Sequence, residues 1–190
     1  MERAMDYFDT LAVVFRTVEA TLGDHRPVPL AEGIEQAMTV ITGCHRAGRK
    51  IIFIGNGGSA AIASHQAVDY WKNGGLRAIT FNDSSLLTCI SNDCGYPHVF
   101  EKPVEMFADP GDVLIAISSS GRSDNILRGS KAALNKGCEL ITMSGFKPDN
   151  PLRSMGQLNF YAASSSYGHV EITHLTLCHC IVDMIVGRRA

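Results

Sequence analysis

Apolar residues recur at helical spacing through Met5, Phe8, Leu11, Phe15, Val18 and Leu22. They do so again through Ile34, Met38, Ile41 and His45, with the RPVP stretch at 26–29 between the two sets. Two helices broken at RPVP therefore precede everything else. Beyond them the pattern changes to short continuous apolar runs at 50–54, 77–81, 112–117, 138–143 and 157–162, which read as strands. Helical segments at 59–72, 98–107, 123–136 and 169–187 separate and follow these strands. Pro103 falls inside the second of those segments, so that helix is expected to kink or to begin there. Apolar strands alternating with helices predict an α/β fold: a parallel sheet covered on both faces, with ligands outside the carboxyl ends of the strands. The expected organisation is an N-terminal helical segment, 1–48, packed on a domain spanning 49–190.

Composition narrows the class. With 190 residues, 45% hydrophobic and 19% charged, the chain has the make-up of one globular domain with a sizeable core. A net charge of −2 leaves no overall basic footprint, so nucleic acid is not an expected partner. The opening MERAMDYFDT sets acids and bases ahead of its apolar residues, the wrong order for a secretory signal, and no uninterrupted apolar run approaches the length of a membrane span. A cytoplasmic, membrane-free protein is expected. The six cysteines include no CxxC pair, and most read as small buried hydrophobes.

Polar chemistry gathers where two strands end. The first strand runs into Gly55, Asn56, Gly57, Gly58 and Ser59, and the third into Ser118, Ser119, Ser120, Gly121, Arg122 and Ser123. A glycine-rich turn opening a helix exposes backbone N–H groups to an anion, and serines add hydroxyl donors, with Ser123 also placed to cap the next helix. Gly55-x-Gly57-x-x-Ala60 also fits a relaxed dinucleotide fingerprint. That reading needs an acid about 20 residues further on, whereas Asp83 lies 28 beyond Gly55, and it leaves the serine loop without a role. One such turn alone reads as a capped loop; two in one sheet point to a bound phosphate.

GNGGS at 55–59 before a helix carrying His65, SNDCG at 91–95, GDVLIAISSSGRSDNI at 111–126 and a last helix with several histidines together resemble the sugar isomerase (SIS) domain family. Within it the similarity is strongest to the branch that isomerises sedoheptulose 7-phosphate, over roughly residues 30 to 187. The resemblance implies a five-stranded doubly wound sheet in flavodoxin-like order, usually in a homotetramer with shared active sites. It implies that Ser118, Ser119, Ser120 and Ser123 grip the sugar phosphate. Asn56 and Ser59 with the adjacent Gly57 and Gly58, together with Asp93 and Glu171, are then expected to contact the substrate.

His65 and Asp69 are four residues apart and share a helix face; Glu171 and His179 are eight apart, about two turns along another helix. Aldose–ketose isomerisation needs a base beside the carbonyl, an acid for the carbonyl oxygen and stabilisation of the enediolate. The resemblance assigns acid/base roles to Asp69 and His179. The set His65, Asp69, Glu171 and His179 is equally a divalent-metal donor set, and relatives that bind zinc do so with matching residues, so one Zn²⁺ per chain is expected. His174, Tyr70 and Trp71 read as packing residues. The chain departs from the family pattern at Asp69, for a glutamate, at Glu171, for a glutamine, and at Gly168 and His169, for an aspartate and an arginine. The expected activity is conversion of sedoheptulose 7-phosphate to a heptose 7-phosphate. The alternative is a non-catalytic SIS-fold regulator that binds a phosphosugar or a replication initiator.

Overall fold

The computed structural model describes residues 2–23 and 25–188, without the side chain of Glu2. The first helix, α1 (Glu2–Arg16), ends earlier than the helical pattern extends, and the chain continues as β1 (Glu19–Leu22) and β2 (Pro27–Val28). Val18, Ala20 and Leu22 are also spaced by two, the strand period, so either element could use the same apolar residues. Pairing decides between them, because β1 runs antiparallel to the last strand, β7 (Leu158–Ala162), with Ala20 opposite Phe160. The expectation of five strands is therefore corrected to seven.

After α2 (Leu30–Arg46) come β3 (Ile51–Gly55), α3 (Gly58–Lys72), β4 (Ala78–Thr80), α4 (Ser84–Cys94) and α5 (Glu101–Phe107). These are followed by β5 (Val113–Ser118), α6 (Asp124–Asn135), β6 (Glu139–Gly145), β7 and α7 (Tyr167–Gly187). The sheet order is β2-β1-β7-β6-β5-β3-β4. Its parallel members, counted along the chain, stand in the order 2-1-3-4-5, the flavodoxin-like arrangement, with its switch point between β3 and β5.

Alternation along each strand divides the core. Ile51 and Phe53 face a layer built by α2, α3 and α7, whereas Ile52 and Ile54 face α5 and α6. α1 lies against α7. The sequence pattern does not reveal α4, because it is rich in Ser, Thr, Asn and Cys, which are weak helix formers, and none of its residues is fully buried. Asp83 caps it by accepting from Leu86 N at 3.1 Å. Pro103 sits in the first turn of α5, where its missing N–H has no intrahelical partner to lose. Of the cysteines, Cys44, Cys138 and Cys178 are buried, while Cys89 and Cys94 are exposed on α4. Tyr70 is in the core, but Trp71 is exposed.

By length and composition α7 could cross a membrane, which a count of uninterrupted apolar runs overlooks. Its inward residues, among them Leu177, Cys178, Ile181 and Ile185, instead pack on the sheet in the first core layer. His174 is fully buried on this face, and its Nε2–H donates to the Ser144 carbonyl oxygen at 3.1 Å. Burial pushes its pKa down from 6.5 to about 4, so the ring is neutral in the folded protein. The unfolded chain binds this proton more readily. The stabilisation is therefore complete above about pH 6.5 and is lost as pH falls towards 4, by up to about 3 kcal/mol at 1.36 per unit. Urea titrations from pH 7 down to pH 5 are expected to show falling stability, and His174→Met is expected to flatten that slope.

Candidate active site

β3 is buried along its whole length and delivers the chain to the glycine turn at the sheet's carboxyl edge. Gly57 occupies the N-cap of α3 without a side-chain bond, which leaves the first N–H groups of that helix to a ligand. The serine loop leaves β5 on the other side of the switch point. Between the two lies a cavity of ≈ 250 Å³. Asn56, Gly57, Gly58 and Ser59 form one wall, Ser118, Ser119, Ser120 and Ser123 the other, and Tyr167 and Glu171 of α7 close it.

The serine loop is folded onto itself. Ser118 Oγ accepts from Gly121 N at 3.1 Å and Ser120 Oγ from Arg122 N at 3.3 Å. Each hydroxyl keeps its own proton to donate. Ser123 stands at the N-cap of α6, but its side chain makes no capping bond, contrary to expectation. Arg122 turns outward to the Asp149 carboxylate at 3.1 Å. Among the described residues, no lysine or arginine lines the cavity.

Asn56 is held by residues that sequence inspection did not single out. It exchanges two amide hydrogen bonds with Asn125, at 2.9 and 2.8 Å, and accepts a third from the Tyr96 hydroxyl at 3.0 Å. Asn125 lies within the SSSGRSDNI motif, and Tyr96 follows SNDCG by one position, so the motifs located both without distinguishing them. Asp93 does not line this cavity. It lies at the exposed end of α4, accepting from Asn92 Nδ2 at 2.8 Å and from Cys89 Sγ at 3.5 Å. A second hollow of ≈ 260 Å³ shares Asn56 and Gly57 and continues towards Asn82 and Tyr96.

About two turns further along α3 and α7, towards the solvent-exposed His65, a second group forms. The nearest ligand atoms of His65, Asp69 and His179 all lie within 4.8 Å of one another. Asp69 Oδ2 is 3.3 Å from His65 Nε2 and 3.5 Å from His179 Nδ1. Two donor atoms of a tetrahedral zinc site, with bonds of about 2.0–2.1 Å, stand about 3.3 Å apart. Both Asp69–imidazole pairs stand at about that spacing and the two imidazoles lie within 4.8 Å of each other, a donor set that could hold such an ion. Asn73 Nδ2 donates to Asp69 Oδ1 at 3.3 Å and orients the carboxylate from behind.

The expected four-residue set is met by three, and Glu171 stands apart. Eight residues place it about 12 Å from His179 along the axis of α7, level with the glycine turn. A Cβ built on Gly58 would come within 2.4 Å of the Glu171 carboxylate oxygens. The carboxylate thus rests against the positive end of α3, a favourable place for negative charge, and glycine at 58 admits it. Gly58→Ala is expected to leave thermal stability nearly unchanged, because the displaced group is the end of a flexible side chain. It is also expected to lower sugar-phosphate affinity severalfold, because the added methyl enters the cavity; paired melting and binding titrations check both.

The SIS domain family matches residues 7–145. The phosphoheptose isomerase of Geobacter sp. (strain M21) is 35% identical over 162 residues, covering 82% of this chain and 84% of that protein. The phosphoheptose isomerase of Shewanella denitrificans is 34% identical over 164 residues, covering 82% of this chain and 84% of that one. Among solved structures, phosphoheptose isomerase GmhA from Neisseria gonorrhoeae superposes with a TM-score of 0.85 at 30% identity, over 97% of this chain and 98% of its own. Glycine turn, serine loop, switch point and sequence relatives agree: the chain belongs to the SIS domain family.

Proposed function

We propose that the protein is an aldose–ketose isomerase of phosphosugars that converts sedoheptulose 7-phosphate to D-glycero-D-manno-heptose 7-phosphate. The observation that carries this reading is the pairing of two sites on one helix pair. A serine-walled cavity with room for a phosphate and part of a sugar chain lies about two helix turns, some 11 Å, from a group able to move protons. A sugar phosphate anchored at the serine loop extends its carbonyl end along that line. Hydroxyls and backbone N–H groups hold the phosphate without a cationic side chain, and the Asn56–Asn125 pair presents fixed amides to the sugar.

Asp69 acts as base on the C1 proton of the ketose, and the C2 carbonyl oxygen takes a proton from His179, which gives the enediol. Return of a proton to C2, with loss of the O1 proton, yields the aldehyde. In a metal-loaded form His65, Asp69 and His179 would instead hold a zinc ion, and polarisation of the carbonyl oxygen by that ion would take the place of the proton from His179. Relative to glutamate, the aspartate is one methylene shorter, a displacement of about 1 Å to which proton transfer is sensitive. Asn73 fixes its direction.

A homotetramer with shared active sites accords with the apolar residues left exposed on α1, where Met5 and Phe8 are 59% and 60% exposed. A cytoplasmic role in supplying heptose for glycan precursors accords with the activity named for the relatives. The deciding experiment is a turnover screen across ketose and aldose phosphates, with and without added zinc, together with metal analysis of the purified protein. Heptose phosphate formation is expected, with about one metal per chain that is lost in His179→Ala. Absence of turnover on every substrate would favour the regulator, and light scattering that finds a monomer would remove the tetramer.

A further inference from the structure

Among the described residues Tyr167 is the one aromatic side chain that lines the cavity, and it is 64% exposed. It is the first residue of α7, and its N-cap, Ser166, makes no side-chain capping bond. Among the described residues its hydroxyl has no hydrogen-bond partner, so a free phenol donor stands at the mouth of a cavity whose described lining offers serine hydroxyls and backbone N–H groups beside the single Glu171 carboxylate, with no cationic side chain.

The ring is held by Phe146. Phe146, at the end of β6, adopts φ 57, a conformation that a bulky side chain rarely takes. The surrounding backbone enforces it: Phe146 N donates to the Ser164 carbonyl at 2.9 Å, and its own carbonyl accepts from the Tyr161 hydroxyl at 2.7 Å. This conformation sets the Phe146 ring edge-on to Tyr167, with centroids 4.8 Å apart and planes at 82°. Tyr7 of α1 packs against the two residues that follow Tyr167. A Cβ at Gly168 would lie 2.7 Å from the Tyr7 hydroxyl, and the buried His169 ring faces Tyr7 at 4.3 Å. Gly168 and His169 stand where the resemblance implies an aspartate and an arginine, and both are used here to seat α1 against the first turn of α7.

We infer that the Tyr167 hydroxyl is a phosphate-binding donor that this chain adds to its serine loop, with Phe146 as the positioning residue for it. The inference rests on the phosphosugar reading of the cavity and deepens it. Binding of inorganic phosphate and of sedoheptulose 7-phosphate would be measured by calorimetry on wild type, Tyr167→Phe, Tyr167→Ala, Phe146→Gly and the double variant Phe146→Gly/Tyr167→Phe. Glycine accepts the backbone angle at 146, so that variant is expected to fold.

Tyr167→Phe keeps the ring and removes only the donor. It is expected to weaken both ligands about tenfold or more and to raise KM with kcat within twofold, because the phosphate lies away from the reacting carbons. Phe146→Gly is expected to weaken binding as well. In the double variant the two effects are expected to be less than additive, a coupling that a merely structural role for Phe146 would not produce. Phosphate affinity in Tyr167→Phe within twofold of wild type overturns the inference, and a loss seen only in Tyr167→Ala does so too, reducing the ring to a wall. A wild-type protein that binds neither ligand overturns the phosphosugar reading itself and this inference with it.

Discussion

Asp69→Ala is expected to lower isomerase turnover by about 10²–10⁴-fold, the range that a positioned acid/base group contributes. The carboxylate is the hub of its group: one oxygen faces both His65 and His179, and the other accepts from Asn73. Alanine removes the base and separates the two imidazoles in a single change, and any metal held there loses its only anionic ligand. The serine loop is untouched, so phosphate affinity is expected to stay within about threefold of wild type, which separates loss of chemistry from loss of fold. Asp69→Glu keeps a carboxylate at this position and is expected to retain far more activity than alanine. Turnover of Asp69→Ala within tenfold of wild type would move the chemistry to another residue.

The second large effect is expected at the other end of the substrate. Ser118→Ala combined with Ser120→Ala removes two hydroxyl donors from a cavity without a cation to compensate. Hydrogen bonds to charged groups contribute about 1.5–3 kcal/mol each, so sugar-phosphate affinity is expected to fall by about 10²–10⁴-fold. The same hydroxyls accept from Gly121 and Arg122 N–H groups, so part of the loss comes from loosening of the loop. A single Ser120→Ala variant, on the more exposed member, is expected to show a smaller loss with an unchanged melting temperature. Unchanged affinity of the double variant in a calorimetric titration would remove the serine loop from phosphate recognition.

The parallel strands were legible because burial on both faces forces uninterrupted apolar runs, and each of the five sits where its run predicts. β1 was not, because Val18, Ala20 and Leu22 satisfy strand spacing while Val18 and Leu22 also continue a helical pattern, and only the partner at Phe160 breaks the tie. α4 escaped notice because nothing in it is fully buried. At the site, the glycine turn and serine loop could be read directly, since polar clusters at strand ends have few structural reasons to exist. Asn125, Tyr96 and Asn73 support functional side chains through tertiary contacts and leave no periodic trace. Glu171 and His179 share a helix, and their spacing of eight, about 12 Å along its axis, already keeps them apart; what the sequence does not show is which of the two meets the His65–Asp69 pair. Tyr167 was hidden for the same reason: its partner Phe146 is 21 positions away.

The two margins of the sheet are unusually short. β2 contributes two residues, the first of them a proline, and β4 contributes three. A neighbouring chain seeking to add a strand there finds too few free N–H and C=O groups in line to hold it in register, and Pro27 has no N–H at all. Ribbon-like stacking of sheets from molecule to molecule is blocked at both ends, so a concentrated solution of this protein is protected against the commonest route from a strand-rich core to fibrous aggregate.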